Sequence, residues 1–112
     1  YATSKFVRES QERAVEVMRE EYGHATAPPL ERILIEQIII CWLRLNTLEI
    51  HYTTKTFESH TTETGLYWDR RLTNAQRRFT RACESLARVR RLARLNVQVN
   101  IAAEGGRQIN LA

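Results

Sequence analysis

Apolar positions along the chain fall into three helical patterns and one alternating one. From Ser4 to Tyr22 the apolar residues Phe6, Val7, Ala14, Val17 and Met18, with Ser10 on the same stripe, form a narrow face on a charged segment. That pattern predicts a helix over about 4–22 that packs on one side only. Thr3 or Ser4 supplies a hydroxyl cap for its first turn, and Gly23 offers a C-terminal cap before the turn-like GHATAPP. The second pattern begins at Pro29, because proline suits the first helical position, with Thr26 the nearest cap. Here Leu34, Ile38, Cys41, Leu45, Leu48 and Tyr52 make one face, Ile35, Ile39 and Trp42 a second, and Ile33 and Ile40 a third. A helix apolar over so much of its circumference lies at the centre of its fold. Three helices cover it poorly, which argues for self-association through Ile35, Ile39 and Trp42.

Thr53 to Thr64 holds six threonines and one serine, residues that compete for backbone hydrogen bonds. A junction is expected there, so the second helix spans about 29–56 and the third restarts near Thr61 or Thr62. In the third, Trp68, Leu72, Ala75, Phe79, Ala82, Leu86, Val89 and Ala93 recur at alternating spacings of four and three. This is a heptad seam for a long antiparallel or coiled-coil partner, over about 62–95. After Leu95 the period changes. Val97, Val99 and Ile101 alternate with Gln98 and Asn100, and Ile109 and Leu111 follow EGGR. That reads as a β-hairpin over about 97–111. A loop of odd length, with a left-handed glycine, keeps its apolar side chains on one face. The expected fold is therefore mainly α: three helices, two of them long and in an antiparallel hairpin or bundle, with a short C-terminal β-hairpin, all in one domain over 1–112. A lone hairpin is marginal in water, so Val97, Val99, Ile101, Ile109 and Leu111 are expected to meet the helices or strands from other copies.

Composition narrows the class. The 112 residues are 43% hydrophobic with four Gly and two Pro, too apolar for a disordered tail and too poor in Gly and Pro for a linker. The longest apolar run, Ile38 to Leu43, is far shorter than the roughly 20 residues of a membrane span. No secretory signal pattern opens the chain, and its first residue is Tyr, which leaves room for a preceding segment. The net charge of +4 hides a division: −3 over residues 1–68, +7 over 69–95, and zero over 96–112. The basic segment uses arginine alone: Arg70, Arg71, Arg77, Arg78, Arg81, Arg88, Arg90, Arg91 and Arg94. Guanidinium is planar and bidentate toward carboxylate or phosphate. Three partners suit such a face. One is the glutamates of the first helix (Glu9, Glu12, Glu16, Glu20, Glu21), within or between subunits. Another is the phosphates of a nucleic acid, bound by counterion release. The third is an acidic protein partner. Asn74, Gln76 and Arg77 give only weak grounds for base readout.

The stretches PPLERILIEQIIICWLRL, RRLTNAQRRFTRACESLARVRRL and VQVNIA resemble an uncharacterised group of predicted bacterial helical proteins, over about residues 28–102. The resemblance implies a shared fold, a basic N-terminal segment ahead of this body, and no established activity. In architecture alone, long helices followed by a short β segment look similar to the oligomerisation core of phage small terminase subunits, which form rings and recognise DNA.

Catalytic chemistry has little to stand on. His24, His51 and His60 have no metal-site spacing, and His51 with Glu49 or Glu58 forms no recognisable set. Cys41 and Cys83 fall among apolar neighbours and are expected to be buried reduced thiols. The glycines of EGGR belong to a turn, and no phosphate-cradling loop is present. The sequence reads as a non-enzymatic, cytoplasmic, self-associating module without cofactor, alternatively an oligomeric nucleic-acid-binding accessory protein.

Overall fold

The computed structural model describes residues 4–58 and 61–111, with side chains for 4–54 and 61–104. α1 (Lys5–Tyr22) leads through a single 3-10 turn (His24–Thr26) into α2 (Pro29–Glu58), and α3 (Thr62–Leu111) follows. Each boundary has a local cause. The Ser4 hydroxyl accepts from the Val7 amide at 3.2 Å and caps α1. Gly23 sits at φ 73°, the left-handed conformation that ends a helix, and its amide donates to the Arg19 and Glu20 carbonyls. α2 begins at Pro29, as its missing amide proton permits. Thr61 accepts from the Thr64 amide at 3.3 Å and opens α3. The threonine-rich stretch stays helical as far as Glu58, with Thr53 and Thr54 donating back to the Glu49 and Ile50 carbonyls.

α2 and α3 form an antiparallel hairpin, with His51 beside Trp68 at one end and Glu31 beside Arg90 at the other. α1 folds back along α2, where Gln11 meets Asn46 and Arg19 meets Glu36. The result is a thin layer of 77 × 30 × 15 Å with α2 in the middle. Its radius of gyration is 21.0 Å, against about 13 Å for a compact chain of this length. The core is narrow: Ala27, Ile35, Ile38, Ile39 and Leu86, flanked by Val15, Met18, Tyr22, Phe79 and Cys83. The seam expected along α3 is used as far as Val89, while Ala93 is exposed. Ala75 and Leu86 are buried, while Trp68, Leu72, Phe79, Ala82 and Val89 are half-buried.

The tail differs from the expectation. Mainly α holds, but the β-hairpin over 97–111 does not: α3 continues through those residues to Leu111, and no strand occurs among the described residues. The loop with a left-handed glycine falls with it, since Gly23 is the one positive-φ glycine among the described residues. The physical reason is a competition between growth and nucleation. Extending an existing helix adds one hydrogen bond per residue fixed, whereas a two-stranded hairpin must nucleate and stays marginal without a surface to lie on. α3 thereby reaches 50 residues, about 75 Å, instead of the 33 expected.

Candidate interaction surface

α2 starts level with about residue 92 of α3, so the last 19 residues of α3, about 28 Å, extend past the hairpin. The spacing of Leu86, Arg90, Ala93, Val97 and Ile101 carries the seam on beyond the end of α2. Val97 and Ile101 consequently stand 56% and 64% exposed. On the opposite side of the same helix Leu92, Leu95 and Val99 are also exposed. A helix apolar on two sides and covered on neither has unmet packing. The side chains of Ile109 and Leu111 lie outside the described residues.

The faces of α2 are divided differently from the sequence reading. Ile35 and Ile39, expected at an intersubunit surface, are fully buried in the chain's own core. Trp42 is half-buried against α1, near Phe6, Ala14 and Ile50. The open face is the one marked by Ile33 and Ile40, with Leu30 beside it. In total the chain exposes 8872 Å², against about 6,400 Å² for a compact monomer of its mass.

The nine arginines separate into two engaged and seven free-standing residues. Arg90 reaches into the junction of all three helices. Its Nε donates to Glu31 Oε1 at 2.7 Å, and its Nη2 donates to the Tyr22 carbonyl. Glu31 is the buried charge of the core, so this pair neutralises it. Arg71 donates to the Tyr67 hydroxyl at 2.7 Å and lies 5.4 Å from the Trp68 ring centre, a cation–π geometry. Arg70, Arg77, Arg78, Arg81, Arg88, Arg91 and Arg94 are exposed and form no ion pair among the described residues. Arg70, Arg77, Arg81 and Arg88 lie nearly in line on the face opposite the seam, spanning about 27 Å. The acidic stripe of the first helix does not reach them, because α1 packs along α2 and meets α3 at its Tyr22 end, against Arg90.

Elsewhere the ionisable groups serve the scaffold. Arg19 holds Glu36 through two hydrogen bonds, and His24 Nε2 lies 3.1 Å from the same carboxylate. The hydrogen bonds from Arg19 draw the Glu36 carboxyl below the usual carboxylate range. An open cleft of about 570 Å³ lies where Tyr22, Ile38, Cys83, Leu86, Arg90 and Arg94 meet. Its thiol is a poor nucleophile, since burial and then the neighbouring Cys41 raise the Cys83 pKa. Burial likewise raises the Tyr22 hydroxyl. Its half-buried cation, Arg90, is committed to Glu31. His51 stacks on Trp68 with ring centres 6.1 Å apart, and His60 lies outside the described residues. No group of three or more His, Cys, Asp or Glu able to hold a metal occurs among the described residues, nor does a helix long and apolar enough to cross a membrane.

The charge pattern alone does not separate Arg90 and Arg71 from the rest. The available signal for Arg90 is its place on the seam face, four residues after Leu86 and three before Ala93. No family model, no curated protein and no solved structure matches the chain.

Proposed function

We propose that this chain is a non-enzymatic helical module whose work is self-association. The observation that carries this reading is the unsupported end of α3, where Val97 and Ile101 continue the seam with no helix among the described residues to meet them. Covering such a face is favourable by about 25 cal/mol per Å² of apolar area removed from water. The open α2 face of Ile33 and Ile40 adds a second area of the same character. Size-exclusion chromatography with light scattering, at tens of micromolar protein, is expected to give a mass at least twice the 13.1 kDa of one copy. Val97→Asp with Ile101→Asp should shift the population toward monomer while helicity is kept. A native chain that stays at the single-copy mass would end this reading.

A second reading is favoured by the stripe of exposed arginines that form no ion pair among the described residues: an oligomeric accessory protein that binds nucleic acid through backbone phosphates. Such contacts are sequence-independent and release counterions, so affinity falls steeply with salt. Fluorescence anisotropy with a labelled duplex is expected to show binding at low salt. Replacing Arg77, Arg78 and Arg81 by Gln should weaken it by at least about tenfold and flatten the salt dependence. Equal binding by that variant and the native chain would count against this reading.

A further inference from the structure

α1 and α3 are the two edges of the layer, and each turns a charged stripe away from α2. On α1 this stripe is Glu9, Arg13, Glu16 and Glu20, all exposed. On α3 it is Arg77, Arg81, Glu84 and Arg88, also exposed. At about 100° per residue each set of four falls within an arc of about 60°. Forward along α1 the signs run minus, plus, minus, minus at intervals of four, three and four residues. Backward along α3 from Arg88 they run plus, minus, plus, plus at the same intervals.

We propose that the α1 edge of a second copy docks antiparallel along this stripe of α3. The register pairs Glu9 with Arg88, Arg13 with Glu84, Glu16 with Arg81, and Glu20 with Arg77. The inverted charge on one stripe meets the inverted charge on the other, so no like charges face each other. A parallel docking matches only three pairs, Glu9 with Arg70, Glu16 with Arg77 and Glu20 with Arg81, and leaves Arg13 opposite Asn74. Within one copy α1 packs along α2 and meets α3 at its Tyr22 end, so the two stripes do not face each other. Of the α1 set, only Glu9 has an ion-pair neighbour among the described residues, Lys5 at 4.0 Å on the surface of its own helix.

This inference rests on the self-association reading and names its geometry. Exposed ion pairs contribute little each and are screened by salt, so the stripe sets orientation and register while the apolar faces supply affinity. The two stripes are different surfaces, so the contact is head-to-tail and adds copies one after another unless a ring closes.

Sedimentation velocity at low salt (about 50 mM) and high salt (about 500 mM) tests it. Glu16→Arg with Glu20→Arg, and separately Arg77→Glu with Arg81→Glu, should each weaken association by at least about tenfold at low salt. An equimolar mixture of the two variants, and a single chain carrying all four changes, should both associate again. Circular dichroism on each variant checks that helicity is retained, and recovery in the mixture separates lost contact from lost fold. A native chain that remains monomeric overturns the self-association reading and this contact with it. A native chain that associates, with both charge variants associating equally well, overturns this contact alone. The same holds if Arg77→Glu with Arg81→Glu abolishes binding to a labelled duplex and leaves association untouched, since the stripe then belongs to phosphate.

Discussion

Replacing Ile38 by alanine is expected to lower the unfolding free energy by about 3 kcal/mol. Ile38 has no exposed surface and stands in the middle of α2, against α3. Truncating it removes the transfer free energy of three carbons and leaves a void, and the surrounding layer relaxes only in part. The effect is large relative to the whole, because domains of this size are stable by only about 5–15 kcal/mol. The fully buried cluster is also small, five side chains in a layer of helices 15 Å thin, so losing one of them removes a large share of it. Phe6→Ala is the matching control. Phe6 is 78% exposed, and its loss should change stability by less than about 0.5 kcal/mol. Urea titrations at one fixed protein concentration measure both, since assembly would otherwise enter the comparison. A cost for Ile38→Ala within that of Phe6→Ala would contradict the packing described.

Arg90→Met is expected to cost roughly 1–3 kcal/mol, by a different route. The Glu31 side chain is 12% exposed and would lose the guanidinium that satisfies its carboxylate. The Tyr22 carbonyl would lose its guanidinium donor as well. The arithmetic of buried pairs makes a sharper forecast for the double change. Glu31→Met with Arg90→Met removes the orphaned charge and should recover most of the loss. Arg90→Lys should fall between, because an ammonium lacks the planar fork that reaches a carboxylate and a carbonyl together. Thermal and urea unfolding of the three variants and the native chain decide it. A double variant no more stable than Arg90→Met would show that the side-chain volume, not the charge pairing, is what the junction needs.

Much of the helical scaffold was legible because its signals are local. Ser4, Gly23 and Pro29 mark element ends by chemistry that needs no tertiary contact. The seam from Trp68 to Val89 was legible because its spacing repeats over several turns. The tail was not. Val97, Val99 and Ile101 alternate as a strand would, yet on a helix the same residues fall on two opposite faces. Local pattern does not choose between these, and the helix already running through Leu95 does. The arginine face was legible as a charge count but not as a geometry. Whether Arg88 or Arg90 meets a buried carboxylate depends on the hairpin register that sets Glu31 beside it, 59 residues away. The roles of Ile35 and Ile39 against Ile33 and Ile40 were hidden for a similar reason. Three apolar faces were visible on α2, and which one stays open depends on where α1 docks, through contacts such as Arg19 with Glu36.

The unsupported end of α3 has a further consequence for the energetics along a single helix. Up to about Val89 each turn is held by α2, so its amide protons exchange with solvent only when the hairpin opens. Beyond Ala93 the turns rest on their own hydrogen bonds and on β-branched residues of modest helical preference, and they open one after another from the end. One continuous helix thus contains a steep gradient of local opening free energy. Any partner that covers Val97 and Ile101 supplies its binding energy at the low end of that gradient, so binding and the ordering of these turns form one coupled equilibrium.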